Sequence, residues 1–184
     1  MPSRPTAQVT AANCSAFSSR LDEPLAGSAP VAGAWLAIEQ PGPWGARALT
    51  QSHLDAGIGA QLGRRAEGTG VRIALIRRVG HHALAGAERP RRVLICDTRP
   101  GAAAVRALEV SDPRELLDLD LAALGAGRLD VGAAHPKPVI LVCTNGKRDR
   151  CCAELGRSLA LDLAEAGAAA AGAAQVWEAD HLGG

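Results

Sequence analysis

Aromatic residues are almost missing from this 184-residue chain, which contains one Phe, three Trp and no Tyr. Proteins that grip single-stranded nucleic acid stack its bases on aromatic side chains, and this chain has few of them to offer. Its 20 basic and 19 acidic residues give a formal net charge of +1, without a long run of one sign. We therefore expect neither a nucleic-acid partner nor binding to a charged membrane surface.

Long apolar segments are missing as well. No uncharged apolar stretch reaches the length of about 18 residues that a membrane span requires, so no span is expected. The N-terminal residues 1–6 have no apolar segment of the kind found in secretory signals. Five cysteines without such a signal argue against a disulfide framework and favour a reducing cytoplasm. In that compartment, clustered cysteines are more often metal ligands or redox groups.

Short apolar runs between turn residues predict the strands, and apolar residues at helical spacing predict the helices. The predicted strands are 34–39, 71–78, 91–96, 139–143 and 175–178, with 102–110 as the returning half of a hairpin. The predicted helices are 52–65, 112–124 and 153–166. In the last helix, we expect Leu155, Leu159 and Leu163 to share one apolar face. The alternation of strands and helices predicts an α/β fold.

The run 125–138 has three glycines and two prolines and is the predicted boundary between two lobes. We expect an N-terminal α/β lobe over residues 14–134 and a strand–helix–strand unit over residues 138–184. The second unit has too few residues to bury a core of its own, so it is expected to pack on the first.

The chemistry of the sequence is concentrated in this C-terminal unit. Three of the five cysteines lie in CTNGKRDRCC (residues 143–152), and the last histidine lies in VWEADHLGG (residues 176–184). Two parallel strands joined by a helix point the same way, so Cys143 and His181 should meet at one edge of the sheet. Cys151 and Cys152 should lie in the first turn of the helix that leaves this edge. There the helix dipole and three loop cations, Lys147, Arg148 and Arg150, would favour a thiolate.

Sulfur and imidazole donors at one edge suit zinc or an iron–sulfur cluster. The eight residues between Cys143 and Cys152 make a wide gap for a zinc site and are compatible with a loop folded around a two-iron cluster. The chain has no C-x-x-C motif, and the vicinal cysteines would form only a strained disulfide. The residues alone leave three interpretations open: a metal or cluster site, a redox thiol, or buried structural cysteines.

Several other reactive or charged residues are expected to have structural or surface roles. Cys96 ends a strand and is expected to be a small core residue. Cys14 is given no role, and His81 and His82 are expected to form a solvated pair. The pair Arg77-Arg78 is expected to be a polar strand end rather than a docking patch for an acidic partner.

The cysteine segment, the following helix and VWEADHLGG together resemble the sucrase/ferredoxin-like family, whose C-terminal part is similar to thioredoxin-like [2Fe–2S] ferredoxins. The upstream segments EPLAGSAP, WLAIEQPGPWG and IALIRR stand in the family's order, so the resemblance covers most of the chain from about Cys14. It implies that residues 138–184 form a thioredoxin-like unit. It also implies electron transfer through a [2Fe–2S] cluster with mixed Cys and His ligation.

The resemblance further implies the ligands. Cys143 and Cys152 are the expected thiolates, with Cys151 as a substitute, and His181 is the expected imidazole ligand. In the family a second histidine four residues later completes the set. The chain stops at Gly184, so the fourth ligand is expected to be absent and the cluster labile or missing. Histidine ligands in place of thiolates make such a cluster easier to reduce.

The expected function is therefore that of an electron carrier with an unknown redox partner protein, rather than a catalyst. Two alternatives remain: a cofactor-free thiol redox protein that uses Cys151 and Cys152, and a non-redox interaction module on a degenerate ferredoxin-like scaffold. The sequence shows no pair of carboxylates typical of a glycosidase, so a sucrase activity is rejected. A truncated sheet edge invites self-pairing, which makes a homodimer a further expectation.

Overall fold

The computed structural model describes residues 18–24, 30–81, 90–168 and 174–183. Cys14, His82 and Gly184 lie outside the described residues, so the expectations for them are not addressed by the structure. In the described part the strands are β1 (Ala34–Glu39), β2 (Val71–Arg78), β3 (Arg91–Asp97), β4 (Ala104–Val110), β5 (Ala133–Ala134), β6 (Val139–Cys143) and β7 (Gln175–Ala179). The helices are α1 (Ala56–Ala66), α2 (Leu121–Gly125) and α3 (Arg157–Ala168), with a 3₁₀ helix at Pro113–Asp118 and a π-helical turn at Cys152–Gly156.

The strands form one mixed sheet in the order β5-β4-β3-β1-β2-β7-β6. Two parallel pairs, β1 with β2 and β6 with β7, are each joined by a helix. These two strand–helix–strand units lie side by side and meet where β2 pairs with β7 in antiparallel fashion. On the far side of β1, the antiparallel strands β3 and β4 extend the sheet.

The predicted α/β class is confirmed, and the mixed sheet is consistent with a thioredoxin-like fold. The C-terminal strand–helix–strand unit and the hairpin that returns as β4 are also confirmed. One sheet runs through both predicted lobes, because β7 pairs with β2; the division at 125–138 stays a prediction. None of the helices in the described ranges is long and apolar enough to cross a membrane.

Helix α1 begins four residues later than predicted because its N-cap is Asp55 rather than Ser52. The Asp55 side chain accepts a hydrogen bond from the Ile58 N–H at 2.9 Å and thereby satisfies one of the free donors of the first turn. Ser52 instead accepts a bond from the Leu54 N–H, which stabilises a local turn.

The single helix predicted over 112–124 is wrong, since the structure has two short helices there. Asp112 and Glu115 form a capping box at the start of the 3₁₀ helix. The backbone is extended at Leu119, and the Asp120 side chain then caps α2 by accepting from the Ala123 N–H at 2.9 Å. A second acidic cap within the segment therefore starts a new helix.

Aliphatic residues fill the core, on both faces of the sheet. One face packs against α1, α2 and the 3₁₀ helix and includes Leu36, Ile38, Leu62, Leu75, Ile95, Leu116 and Leu124. The other face includes Ala37, Ile76, Leu94, Cys96, Trp177 and Ala179.

The expected apolar face on the last helix is not a core face. Leu155 and Leu159 are 44% and 51% exposed, and Leu163 is only half-buried. The small residue Ala160 is fully buried instead. Close packing of this helical segment on the sheet selects a small side chain, so the larger leucines face away.

Two glycines of α1 provide a matched test of how closely this helix packs on the segment that contains Leu49. A Cβ at Gly59 would lie 1.8 Å from the Leu49 carbonyl oxygen, whereas one at Gly63 would have its nearest contact at 4.0 Å. We expect Gly59→Ala to lower the free energy of unfolding by about 1–3 kcal/mol through this clash. Gly63→Ala should raise it by about 0.5–1 kcal/mol, because alanine favours the helix. Urea unfolding measures both, and a Gly59→Ala protein as stable as Gly63→Ala would contradict the packing.

Candidate functional site

Two of the predicted ligands are in contact. Cys143 closes β6 and Cys152 begins the π-helical turn, and their Sγ atoms are 3.1 Å apart. The Cys143 thiol also lies 3.4 Å from the Asp180 carbonyl oxygen, to which it donates. Cys143, Cys151 and Cys152 are all half-buried free thiols. The structure thus gathers sulfur donors at one edge of the sheet.

Strand pairing explains why these groups meet. In the parallel register of β6 and β7, Cys143 is opposite Ala179, so the chain that leaves β7 passes beside the Cys143 side chain. His181 follows Asp180 directly in this segment and is half-buried. The prediction that both strands end at one edge is confirmed.

The loop between the cysteines is held by its own polar side chains. Asn145, which is buried, accepts from the Lys147 N–H at 3.1 Å and donates to the Gly45 carbonyl at 2.9 Å. Asp149 accepts from the Cys151 N–H at 2.9 Å. The loop is therefore tied both to itself and to the loop that follows β1.

Gly156 is a site residue that sequence reasoning missed. A Cβ at this position would lie 2.0 Å from the Cys143 carbonyl oxygen, so only glycine lets the π-helical turn approach the end of β6. Turns of this kind are frequent at functional sites. The only indication in the sequence is that this glycine interrupts a segment whose other residues favour a helix.

The environment of Cys152 differs from the one predicted. Burial raises the pKa of the Cys152 thiol, and the neighbouring Cys143 and Cys151 raise it further. The helix terminus and loop cations were expected to favour the thiolate, but desolvation and adjacent sulfurs dominate. One of those cations, Arg150, is also paired with Glu154. Without a bound cation, Cys152 is a protonated thiol at neutral pH.

The surroundings of His181 favour its neutral imidazole form. Burial lowers the pKa of His181, and the positive charges of Arg148 and Arg72 lower it further, while Asp149 opposes them. Neutral imidazole is the form that binds metal.

The donor set fits part of an iron–sulfur site. Among the described residues, no three or more His, Cys, Asp or Glu side chains are grouped closely enough to hold a single metal ion. Two thiols in contact are nevertheless suited to bind the same iron. In clusters with mixed ligation the imidazoles bind the other iron.

Beneath the site lies a buried ion pair. Arg77 Nε and Glu178 Oε2 are 2.8 Å apart, and both side chains are 3% exposed. Arg77 also donates to the Gly42 carbonyl at 2.8 Å and to the Thr144 hydroxyl at 3.3 Å. Thr144, next to Cys143, donates to Glu178 Oε2 at 2.9 Å.

The expectation of a polar strand end at Arg77-Arg78 is therefore wrong for Arg77, which is buried between the two strand–helix–strand units. Arg78 is partly exposed and pairs with Glu39 at 3.2 Å. Two adjacent arginines at the end of a strand point to opposite faces of the sheet. The sequence alone does not reveal which of them is buried, because burial depends on the segments that pack against the strand.

Glu178→Gln should test the importance of this pair. Burial raises the pKa of Glu178, but hydrogen bonds from Gly80 and Arg77 outweigh burial and bring it below its usual value. The ionised pair therefore stabilises the fold above about pH 4.5, the ordinary pKa of a glutamate, and this contribution is lost as the pH falls. We expect the substitution to cost about 3–5 kcal/mol at neutral pH and less at acid pH.

The control is Glu154→Gln at the same edge, which removes the partly exposed pair with Arg150. It should change the free energy of unfolding by less than about 0.5 kcal/mol. Urea unfolding across pH measures the free energy of unfolding of both variants. An equal decrease in the two would contradict a special role for the buried pair.

Cys96 is buried in the core, as predicted, and this burial should slow the chemical modification of its thiol. Burial raises the pKa of the Cys96 thiol to about 11. In the folded protein at neutral pH we expect iodoacetamide to modify Cys96 at least about tenfold more slowly than in denaturant. Mass spectrometry of tryptic peptides measures the rates, and equal rates in both conditions would refute the burial.

Comparison with known families identifies the chain. A family model described as sucrase/ferredoxin-like matches residues 25–184, a range that includes all the cysteines and the histidine of the site. Searches of curated proteins and of solved structures found no match. The chain belongs to the sucrase/ferredoxin-like family.

Proposed function

We propose that this protein transfers electrons through a [2Fe–2S] cluster whose ligands include Cys143, Cys152 and His181. The observation that carries the proposal is the 3.1 Å contact between two sulfurs that are nine positions apart in the chain. A loop of this length does not bring its ends together without specific anchors, and Asn145 and Gly156 supply them. Membership of the family supports the same assignment.

Each residue has a defined task in this proposal. Cys143 and Cys152 lose their protons and bind as thiolates, and His181 binds as the neutral imidazole. When bound, the cluster supplies a one-electron redox centre. Arg148, which is exposed on the loop, would offset the negative charge of the thiolates. Cys151 is half-buried and hydrogen-bonded to Cys152, which makes it the substitute ligand.

The proposal includes a partner and a compartment. The cysteines are half-buried, so a redox centre bound by them would lie near the surface, where a redox partner protein could approach it. The free thiols at the site are compatible with the reducing cytoplasm. In the described part of the chain β6 is an edge strand, and a homodimer formed through this edge stays a prediction.

A second candidate function is thiol–disulfide exchange, and the same sulfur contact favours it. The thiols of Cys143 and Cys152 would lose two protons and two electrons to a disulfide such as oxidised glutathione. They would form one disulfide bond, and the oxidant would become two glutathione thiols. This pair differs from the vicinal cysteines considered in the sequence, because Cys152 lies against Cys143.

Anaerobic reconstitution with iron and sulfide tests the first candidate. We expect the iron that the chain binds to be accompanied by an equal amount of acid-labile sulfide, as a [2Fe–2S] cluster requires. Cys143→Ser should lower the bound iron by about tenfold or more, because it removes a ligand. The double variant Cys151→Ser/Cys152→Ser should do the same, because it removes both the ligand and its substitute. Cys151→Ser is the matched control and should keep most of the iron. Chemical analysis of iron and sulfide, with the visible absorbance spectrum, gives the readout.

Two outcomes would overturn the cluster. One is equal iron content in Cys143→Ser and the intact chain. The other is a chain that takes up no iron but loses two thiols to oxidised glutathione, in a reaction that requires both Cys143 and Cys152. The second outcome would establish thiol–disulfide exchange instead.

A further inference from the structure

A pocket lies beside the cysteine loop, next to Arg77 of the buried ion pair. It has a volume of about 270 Å³ and is lined by the loops after β1 and β6, the end of β2 and the start of α3. The residues that matter here are Trp44, Arg77, Thr144, Asn145, Lys147 and Arg157. Neither the proposed cluster nor the disulfide uses this pocket.

The pocket is positively charged. Arg77, Lys147 and Arg157 line it, and none of the described residues that line it is acidic. The charge of Arg77 is neutralised by Glu178. Lys147 and Arg157 have no ion pair with a carboxylate within the described ranges, so they leave two uncompensated positive charges.

The charge of Arg157 acts on the buried Arg77. Burial lowers the pKa of Arg77, Glu178 opposes this effect, and the charge of Arg157 lowers it further. An anion bound between two cations lowers the electrostatic energy of the pair, because its attraction to both outweighs their mutual repulsion.

The walls of the pocket are already in place. The ring of Trp44 lies 3.9 Å from the Arg77 guanidinium carbon, and its indole N–H donates to the Gln40 carbonyl at 3.0 Å. Asn145 joins the two loops through its bond to the Gly45 carbonyl. Three N–H groups of Arg77 are used by Glu178, Gly42 and Thr144, which leaves two of its five. The walls of the pocket are therefore ordered, and only the exposed side chains of Lys147 and Arg157 would have to be ordered when an anion binds.

We propose that this pocket binds a phosphate-type dianion, either inorganic phosphate or the phosphate of a small monoester, through Lys147 and Arg157. The choice of a dianion follows from the charges, since the two unpaired cations match its two negative charges. A carboxylate would neutralise only one of them. The volume leaves room for the phosphate together with a small attached group.

Isothermal titration of the full 184-residue chain with inorganic phosphate tests the site, in a phosphate-free buffer of about 0.15 M ionic strength at slightly alkaline pH. We expect saturable binding with one phosphate per chain. Lys147→Gln and Arg157→Gln should each weaken it by about tenfold, the effect of removing one charge-assisted contact. Both residues are exposed, so both variants should fold, which circular dichroism checks.

The matched control is Arg148→Gln, which removes one charge from the same loop but does not line the pocket. It should change phosphate affinity by less than about twofold, because a charge outside the pocket is screened. Acetate at equal ionic strength should bind at least about tenfold more weakly than phosphate.

Three results would overturn the proposal: no saturable binding of phosphate, equal weakening by Arg148→Gln and Lys147→Gln, or acetate binding as tight as phosphate binding. A titration with a small phosphomonoester distinguishes the two possible ligands. If the ester binds more tightly than inorganic phosphate, the remaining volume of the pocket accommodates its organic group. The iron content of the chain does not enter any of these measurements, so this proposal and the cluster can fail independently.

Discussion

The ion pair between Arg77 and Glu178 is the constraint on which the rest of the structure depends. It lies where the two strand–helix–strand units meet, in the antiparallel register of β2 and β7. Removing two charges from water costs several kcal/mol per ion, so the pair is stable only with further hydrogen bonds. Those bonds come from Gly42, Gly80 and Thr144. The loops after β1 and β6 are thus positioned by the need to satisfy one buried pair.

The cysteine site and the cationic pocket both follow from this arrangement. Thr144 binds Glu178 and is the neighbour of Cys143, so the first sulfur is placed by the ion pair. The Asp180 carbonyl that contacts Cys143 lies two residues beyond Glu178 on the same segment. Arg77 also lines the pocket that we assign to a phosphate. One buried interaction therefore supports two separate candidate sites.

Where sequence reasoning was wrong, a local pattern was overruled by a contact from elsewhere in the chain or by a competing local bond. Leu155 and Leu159 have helical spacing and are exposed, because close packing on the sheet selects Ala160. Helix α1 starts after Asp55 and not at Ser52, because the Ser52 hydroxyl binds a neighbouring backbone N–H instead. Cys152 was expected to be a thiolate, but burial beside other sulfurs raises its pKa.

The amino-acid sequence by itself determined the α/β class, the C-terminal strand–helix–strand unit and the edge where Cys143 and His181 lie. These depend on apolar periodicity and on the handedness of a crossover, which are local properties of the chain. Only the tertiary structure decided that Arg77 is buried, that Gly156 lies against Cys143 and that Lys147 faces a pocket. Each of these depends on segments far apart in the chain, and no local pattern encodes which side chain a distant strand or loop will meet.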